Sequence, residues 1–118
     1  MKRSNFMAIY SNSVMTNSPL LFISGQTPQK EAYIPDGIDE QIQIVVEKIN
    51  SIIMDNEAST QNIVKMNVYL TDTSFLESLR TTLIKLYGEN KPAMTVVIVA
   101  GLIDSRFKVE IDAIVAIK

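Results

Sequence analysis

Lys91-Pro-Ala-Met-Thr-Val-Val-Ile-Val-Ala100 and Phe107-Lys-Val-Glu-Ile-Asp-Ala-Ile-Val-Ala-Ile-Lys118 decide how this chain folds. In the first, Thr95 to Ala100 is apolar on both alternating sets of positions, which predicts a strand covered on both faces. In the second, Val109, Ile111, Ala113, Val115 and Ile117 point one way, and Lys108, Glu110 and Asp112 the other. The two read as neighbouring strands, one doubly buried and one carrying carboxylates beside it. A strand buried on both faces needs cover on both sides, and the chain has helices for only one.

The elements upstream supply that first cover. Ile38, Ile42, Val45, Val46, Ile49, Ile52 and Ile53 recur at helical spacing, with Glu40, Gln43, Glu47 and Lys48 off the stripe. This predicts an amphipathic helix that fades near Asp55-Asn56, with Asp36 or Asp39 as its cap. Ile63 to Leu70 alternates, Val64, Met66, Val68 and Leu70 against Lys65, Asn67 and Tyr69. Ser74-Phe-Leu-Glu77 fits a capping box opening a second helix with Phe75, Leu76, Leu79, Leu83, Leu86 and Tyr87 on its apolar side. Gly88 stops that helix and Pro92 forbids its resumption. Near the start, residues 6 to 16 read as extended. Leu20 to Ile23 is a short strand broken by Ser24-Gly25-Gln26-Thr27-Pro28, where Gly25 either simply ends the strand in a turn or supplies positive φ or room for a close approach. The order strand, strand, helix, strand, helix, strand, strand predicts an α+β sandwich, one domain over residues 1–118, with both helices on one face of a mixed sheet. The apolar face left over predicts a homo-oligomer packed sheet to sheet.

Composition narrows the chemistry. The 118 residues carry 11 basic and 13 acidic groups, a net charge of −2, with no basic run beyond Lys2-Arg3, which argues against a nucleic-acid surface. No apolar run approaches the roughly 20 residues of a membrane span. Met1-Lys-Arg-Ser-Asn-Phe-Met7 has positive charge without the apolar stretch of a secretory signal, so the expectation is a cytoplasmic protein. Neither cysteine nor histidine occurs. That removes thiolate catalysis, zinc–sulfur sites, imidazole bases and Ser-His triads, and no Asp/Glu spacing suggests a metal. No cofactor is expected.

Ser24-Gly-Gln-Thr-Pro28, Asp39-Glu-Gln41, Val64-Lys65, Tyr69-Leu-Thr-Asp72, Lys91-Pro-Ala93 and Val109-Glu-Ile-Asp-Ala-Ile114 are each short. In this order and spacing, over nearly the whole chain, they resemble the Rid (YjgF) family of enamine and imine deaminases, also called L-PSP endoribonucleases. The resemblance implies a chorismate-mutase-like α+β fold and a homotrimer whose sheets form a central β-barrel, with small-molecule clefts between subunits. It matches the family's N-terminal tyrosine with Tyr10, its Ser-Gly with Ser24 and Gly25, and its water-holding glutamate with Glu110. An asparagine often found on the second helix falls on Arg80.

One position departs. Where deaminating members follow Pro-Ala with an arginine that grips the substrate carboxylate, this chain has Met94. A guanidinium–carboxylate contact has a geometry that a thioether cannot imitate. It is worth about 1.5–3 kcal/mol, or roughly ten- to a hundredfold in kcat/KM. Met94 with Val96 would form an apolar wall instead, unless Arg80 or Arg106 reaches in as a substitute. The expectation is a small-molecule-binding homotrimer with little activity on 2-imino acids. The alternative is an imine or enamine hydrolase of altered range, with Glu110 positioning water. An endoribonuclease fits least, since an acidic chain without histidine lacks phosphate attraction and the usual acid–base pair.

Overall fold

A computed structural model describes residues 8–117. It contains β1 (Leu20–Gln26), α1 (Ile38–Asp55), β2 (Ile63–Leu70), α2 (Leu76–Tyr87), β3 (Ala93–Ile98) and β4 (Val109–Ala116), with short 3-10 turns at Thr60–Asn62 and Thr73–Phe75. The four strands form one mixed sheet in the order β1-β4-β2-β3, in which β2 and β3 are parallel and the other pairs antiparallel.

Both helices cover one face, as their stripes require. Ile42, Val45, Ile49 and Ile53 of α1 and Leu79, Leu83 and Tyr87 of α2 meet Met66, Val68, Leu70, Val109, Ile111, Ala113 and Val115 in a single core. The other face carries Lys65, Asn67 and Tyr69 of β2 opposite Ile114, Asp112 and Glu110 of β4. On β1, Phe22 pairs with Ile114 and is 70% exposed on that same open face.

The expected neighbours β3 and β4 are separated by β2. A parallel pair needs a long crossover, and α2 provides one between β2 and β3, which puts β3 on the outside of the sheet. Nor is β3 buried on both faces. Met94 and Val96 pack towards the core while Val97 is 39% and Ile98 44% exposed, as suits an edge strand.

The N-terminal extended segment is not a strand either. Phe6 and Met7 lie outside the described residues. From residue 8 onward the chain is a strap, joined to β3 by one bridge between Ser11 and Ala93. The Ser11 N–H donates to Pro92 O at 2.8 Å and its hydroxyl to Lys91 O at 2.6 Å. The strap then reaches the far edge, where Ile117 N–H donates to Pro19 O at 2.8 Å. β1 does not stop at Ile23 but continues to Gln26 across a break in register.

Caps differ in detail from the expected ones. Gly37 is the N-cap of α1 and no side chain caps it, although Asp39 and Glu40 still complement the helix dipole. At α2 the Asp72 carboxylate accepts from Ser74 N–H at 2.8 Å and opens a 3-10 turn ahead of the helix, so capping falls two residues before the expected Ser74. Those bonds to Ser74 hold the Asp72 carboxyl below its ordinary range. A capping box does form, at Ser59 and Asn62. Gly88 closes α2 as expected, at φ 60° with its N–H on Ile84 O at 2.9 Å.

Candidate functional site

The sequence-predicted residues fall into two groups on opposite sides of the sheet. The first lies where β1 meets β4. Ile23 pairs with Ala113 and Gln26 with Ile111, so Ser24 and Gly25 together face the single residue Asp112. Two residues against one is a β-bulge, and it moves the backbone out of strict alternation. Gly25 sits on the bulge with Glu110 directly against it. A β-carbon built there would lie 2.1 Å from Glu110 Oε2 and 3.0 Å from its Cδ. Gly25 has no positive φ, so close approach is what requires glycine at this position.

The two carboxylates of this face are treated differently. Asp112 accepts from Asn67 Nδ2 at 2.8 Å and from the Tyr69 hydroxyl at 3.0 Å. That hydrogen bond, together with desolvation and the neighbouring acidic charges, pushes the Tyr69 hydroxyl above its ordinary range. Glu110 is half-buried and, among the described residues, takes no hydrogen bond and no ion pair. Nearby, the Lys65 ammonium donates to Thr95 Oγ1 at 3.0 Å. The loop leaving β1 is fastened from behind, where Lys48 of α1 donates to Thr27 O and Gln29 O, both at 2.9 Å. Its partial burial lowers the affinity of that ammonium for its proton.

The second group lies along β3. Met94 and Val96 turn to the helix side and pack against the core. Tyr10, 48% exposed, precedes the Ser11 bridge to Ala93. The preceding residue, Ile9, is buried, and its carbonyl accepts the hydroxyl of Tyr87. Burial drives the Tyr87 hydroxyl far above its ordinary range, against the opposing charge of half-buried Arg80. Arg80 lies on α2, seven residues before Tyr87, and its charge acts on that hydroxyl. Arg106 is engaged elsewhere: Nε donates to Asp104 Oδ1 at 3.0 Å and Nη2 to Oδ2 at 2.8 Å. This contact holds the Asp104 carboxyl at about 2 and raises Arg106.

One protomer does not bring the two groups together. Met94 pairs through Met66 with Ala113, three residues along β4 from Glu110. With strands about 4.8 Å apart and about 3.3 Å per residue, their Cα atoms are on the order of 14 Å apart. Their side chains also leave opposite faces.

Gln41 is the connection that sequence reading missed. It is fully buried, and Nε2 donates to Pro35 O at 2.7 Å and Arg106 O at 2.9 Å while Oε1 accepts Lys108 N–H at 2.8 Å. It joins the turn before α1 to the approach of β4, and so fixes where Glu110 begins its strand. Its place on the apolar arc of α1, one residue before Ile42, was the available signal.

Comparison with known proteins agrees with this architecture. The structure superposes on RidA from the Antarctic bacterium Psychrobacter sp. PAMC 21119 with a TM-score of 0.79 and 32% identity, over 92% of this chain and 88% of that one. In sequence it is 32% identical to a RutC family protein of Pyrococcus horikoshii over 108 residues, 89% of this chain and 84% of that protein. It is also 32% identical to Protein MMF1, mitochondrial, of Saccharomyces cerevisiae over 101 residues, 80% of this chain and 66% of that one. Among the described residues no helix is long and apolar enough to cross a membrane. The profile of the family described as Endoribonuclease L-PSP matches residues 2–117, and the chain therefore belongs to that family, the YjgF/Rid proteins.

Proposed function

We propose that the chain works as a homotrimer with a small-molecule site at each seam between subunits. On this reading it lacks the 2-imino acid deaminase activity of the family's better-known members. The separation of Ser24, Gly25 and Glu110 from Tyr10, Arg80, Met94 and Val96 carries the first half of this reading. One group sits where β1 meets β4, while Met94 and Val96 lie on the opposite edge strand β3, and a neighbouring copy is the simplest way to join them. The open face gives that neighbour a reason to dock, since Phe22, Leu20 and Val97 are exposed on it or at its margin. The second half rests on Met94. A methionine packed against the core offers no cation to a carboxylate, and Arg106 is already paired with Asp104. The favoured ligand is then uncharged or apolar at that end.

Glu110 supports a second reading, a hydrolase of altered range. Its unengaged carboxylate can hold and polarise a water for attack on an uncharged imine carbon. RNA cleavage, which the family's descriptive name carries, has the least support in an acidic chain without histidine.

The test combines mass and turnover. Light scattering on the eluting protein should give three times the 13.2 kDa chain mass. Imines generated from neutral and from carboxylate-bearing amines should be hydrolysed slowly or not at all when a carboxylate is present. Met94→Arg should raise turnover of the carboxylate-bearing imine by roughly tenfold or more. A monomer in solution would remove the cleft. Rapid hydrolysis of a 2-imino acid by the unaltered protein, lost in Glu110→Gln, would remove the claim about Met94.

A further inference from the structure

We propose that Gly25 is a positioning residue: the space left by its missing side chain seats the Glu110 carboxylate and presents it to a hydrogen-bond donor on the ligand. This rests on the reading that Glu110 belongs to the binding cleft.

Three observations meet here. The bulge brings the Gly25 α-carbon onto the Glu110 side chain, with Oε2 2.1 Å and Cδ 3.0 Å from where a β-carbon would stand. Gly25 does not occupy the left-handed region, so glycine is not needed for backbone conformation and an alanine is compatible with the chain's path. Finally, Asp112 is already satisfied by Asn67 and Tyr69, whereas Glu110 has no partner among the described residues. Of the two carboxylates on this face, one is used to hold the sheet together and the other is packed in place with its oxygens free. A carboxylate so placed accepts hydrogen bonds and donates none. The ligand group it suits is an N–H or O–H donor: an amine, an imine or amidine nitrogen, or a water held for such a group.

If Gly25 were only a turn residue, a methyl group there would leave Glu110 alone. Instead Oε2 must retreat roughly 1.4 Å to regain an ordinary contact of about 3.5 Å. The obstructing atom is the far end of a flexible side chain, so the protein should yield by re-aiming Glu110 and not by unfolding.

Acetamidinium, a small forked N–H donor, is the probe. Its dissociation constant is measured by 15N NMR titration of the assembled protein for the wild type, Gly25→Ala, Glu110→Gln and the double variant. Crystal structures of the wild type and Gly25→Ala, with thermal midpoints for all four, accompany the titrations. Gly25→Ala should weaken binding roughly tenfold or more, as loss of one charge-assisted hydrogen bond would. Glu110→Gln should weaken it at least as much, and the double variant no further than Glu110→Gln. The Gly25→Ala crystal structure should show a changed Glu110 rotamer at a nearly unchanged thermal midpoint. Equal binding by Gly25→Ala and wild type, an unmoved Glu110, or an additive double variant would overturn the positioning role alone. No binding by the wild type, or undiminished binding by Glu110→Gln, would overturn the cleft reading and this inference with it.

Discussion

Replacing Gln41 with leucine should destabilise the protein more than any surface change on the same helix. The two side chains are similar in size, so packing is nearly conserved and polar satisfaction is what changes. Leucine strands three backbone groups: the carbonyls of Pro35 and Arg106 and the N–H of Lys108. An unsatisfied buried polar group costs about 1–3 kcal/mol. Only the bond to Pro35 is fully buried, and the other two are part-buried, so water can partly replace them. The net cost is therefore about 2–4 kcal/mol, a large share of the 5–15 kcal/mol typical of a domain. With a urea slope of about 1.5 kcal/mol per M, the midpoint should fall by roughly 1.3–2.7 M. Far-UV circular dichroism in urea at pH 7 measures this, with protomer concentration held fixed so that assembly does not contribute. Gln43→Leu is the control: it is exposed and donates only to Glu47, so its effect should stay within about 0.5 kcal/mol. A Gln41→Leu midpoint within that same margin of the wild type would refute the argument that this buried amide joins α1 to β4.

Three further outcomes follow from individual contacts. Tyr87→Phe leaves the buried Ile9 carbonyl without its donor. It should cost about 1–2 kcal/mol and speed hydrogen exchange at the Ser11 amide, since the strap loses an anchor. Gly88→Ala puts a β-carbon on backbone at φ 60° and ψ −126°, outside the left-handed helical well, and should cost about 1–3 kcal/mol in thermal unfolding. At the Asp104–Arg106 pair, the folded carboxyl is depressed from its ordinary value of 3.8 to about 2. The contribution of that pair is thus complete above its unfolded value and lost as the pH falls through about 2. In Arg106→Ala the Asp104 titration followed by 13C NMR should return towards the ordinary carboxylate range, and an unchanged midpoint would show that Arg106 is not the cause.

Local periodicity made the helices and the alternating strands legible. Ile42, Val45, Ile49 and Leu79, Leu83 each sit where a 3.6-residue repeat puts them, and Val109 to Val115 where a two-residue repeat does. What escaped was non-local or ambiguous. That β2 lies between β3 and β4 depends on a parallel crossover, which leaves no pattern in the strands it joins. The run Thr95 to Ala100 is apolar on both sets, so it could not say that Met94 and Val96 face the helices. At Gly25 the sequence allowed a plain turn, a positive φ or a close approach, and only the position of the Glu110 carboxylate chose among them. The expected cap moved from Ser74 to Asp72 because both can hydrogen-bond the same short stretch of backbone. The candidate residues themselves were named from resemblance to a family, while the separation of Gly25 and Glu110 from Met94 and Val96 came only from the strand order.

The place of β1 has a consequence for how the protein is made. Among the described residues its only neighbour in the sheet is β4, and Leu20 pairs with Ala116. At 5–20 residues per second, a ribosome adds that partner roughly 5–20 s after it has emitted Leu20. During this interval Leu21 and Ile23 have no neighbouring strand to shield them, and any transcript cut short before Val109 yields a polypeptide that can never shield them. Quality control in the cell should therefore meet truncated products of this gene as sticky, chaperone-bound chains and not as small folded domains.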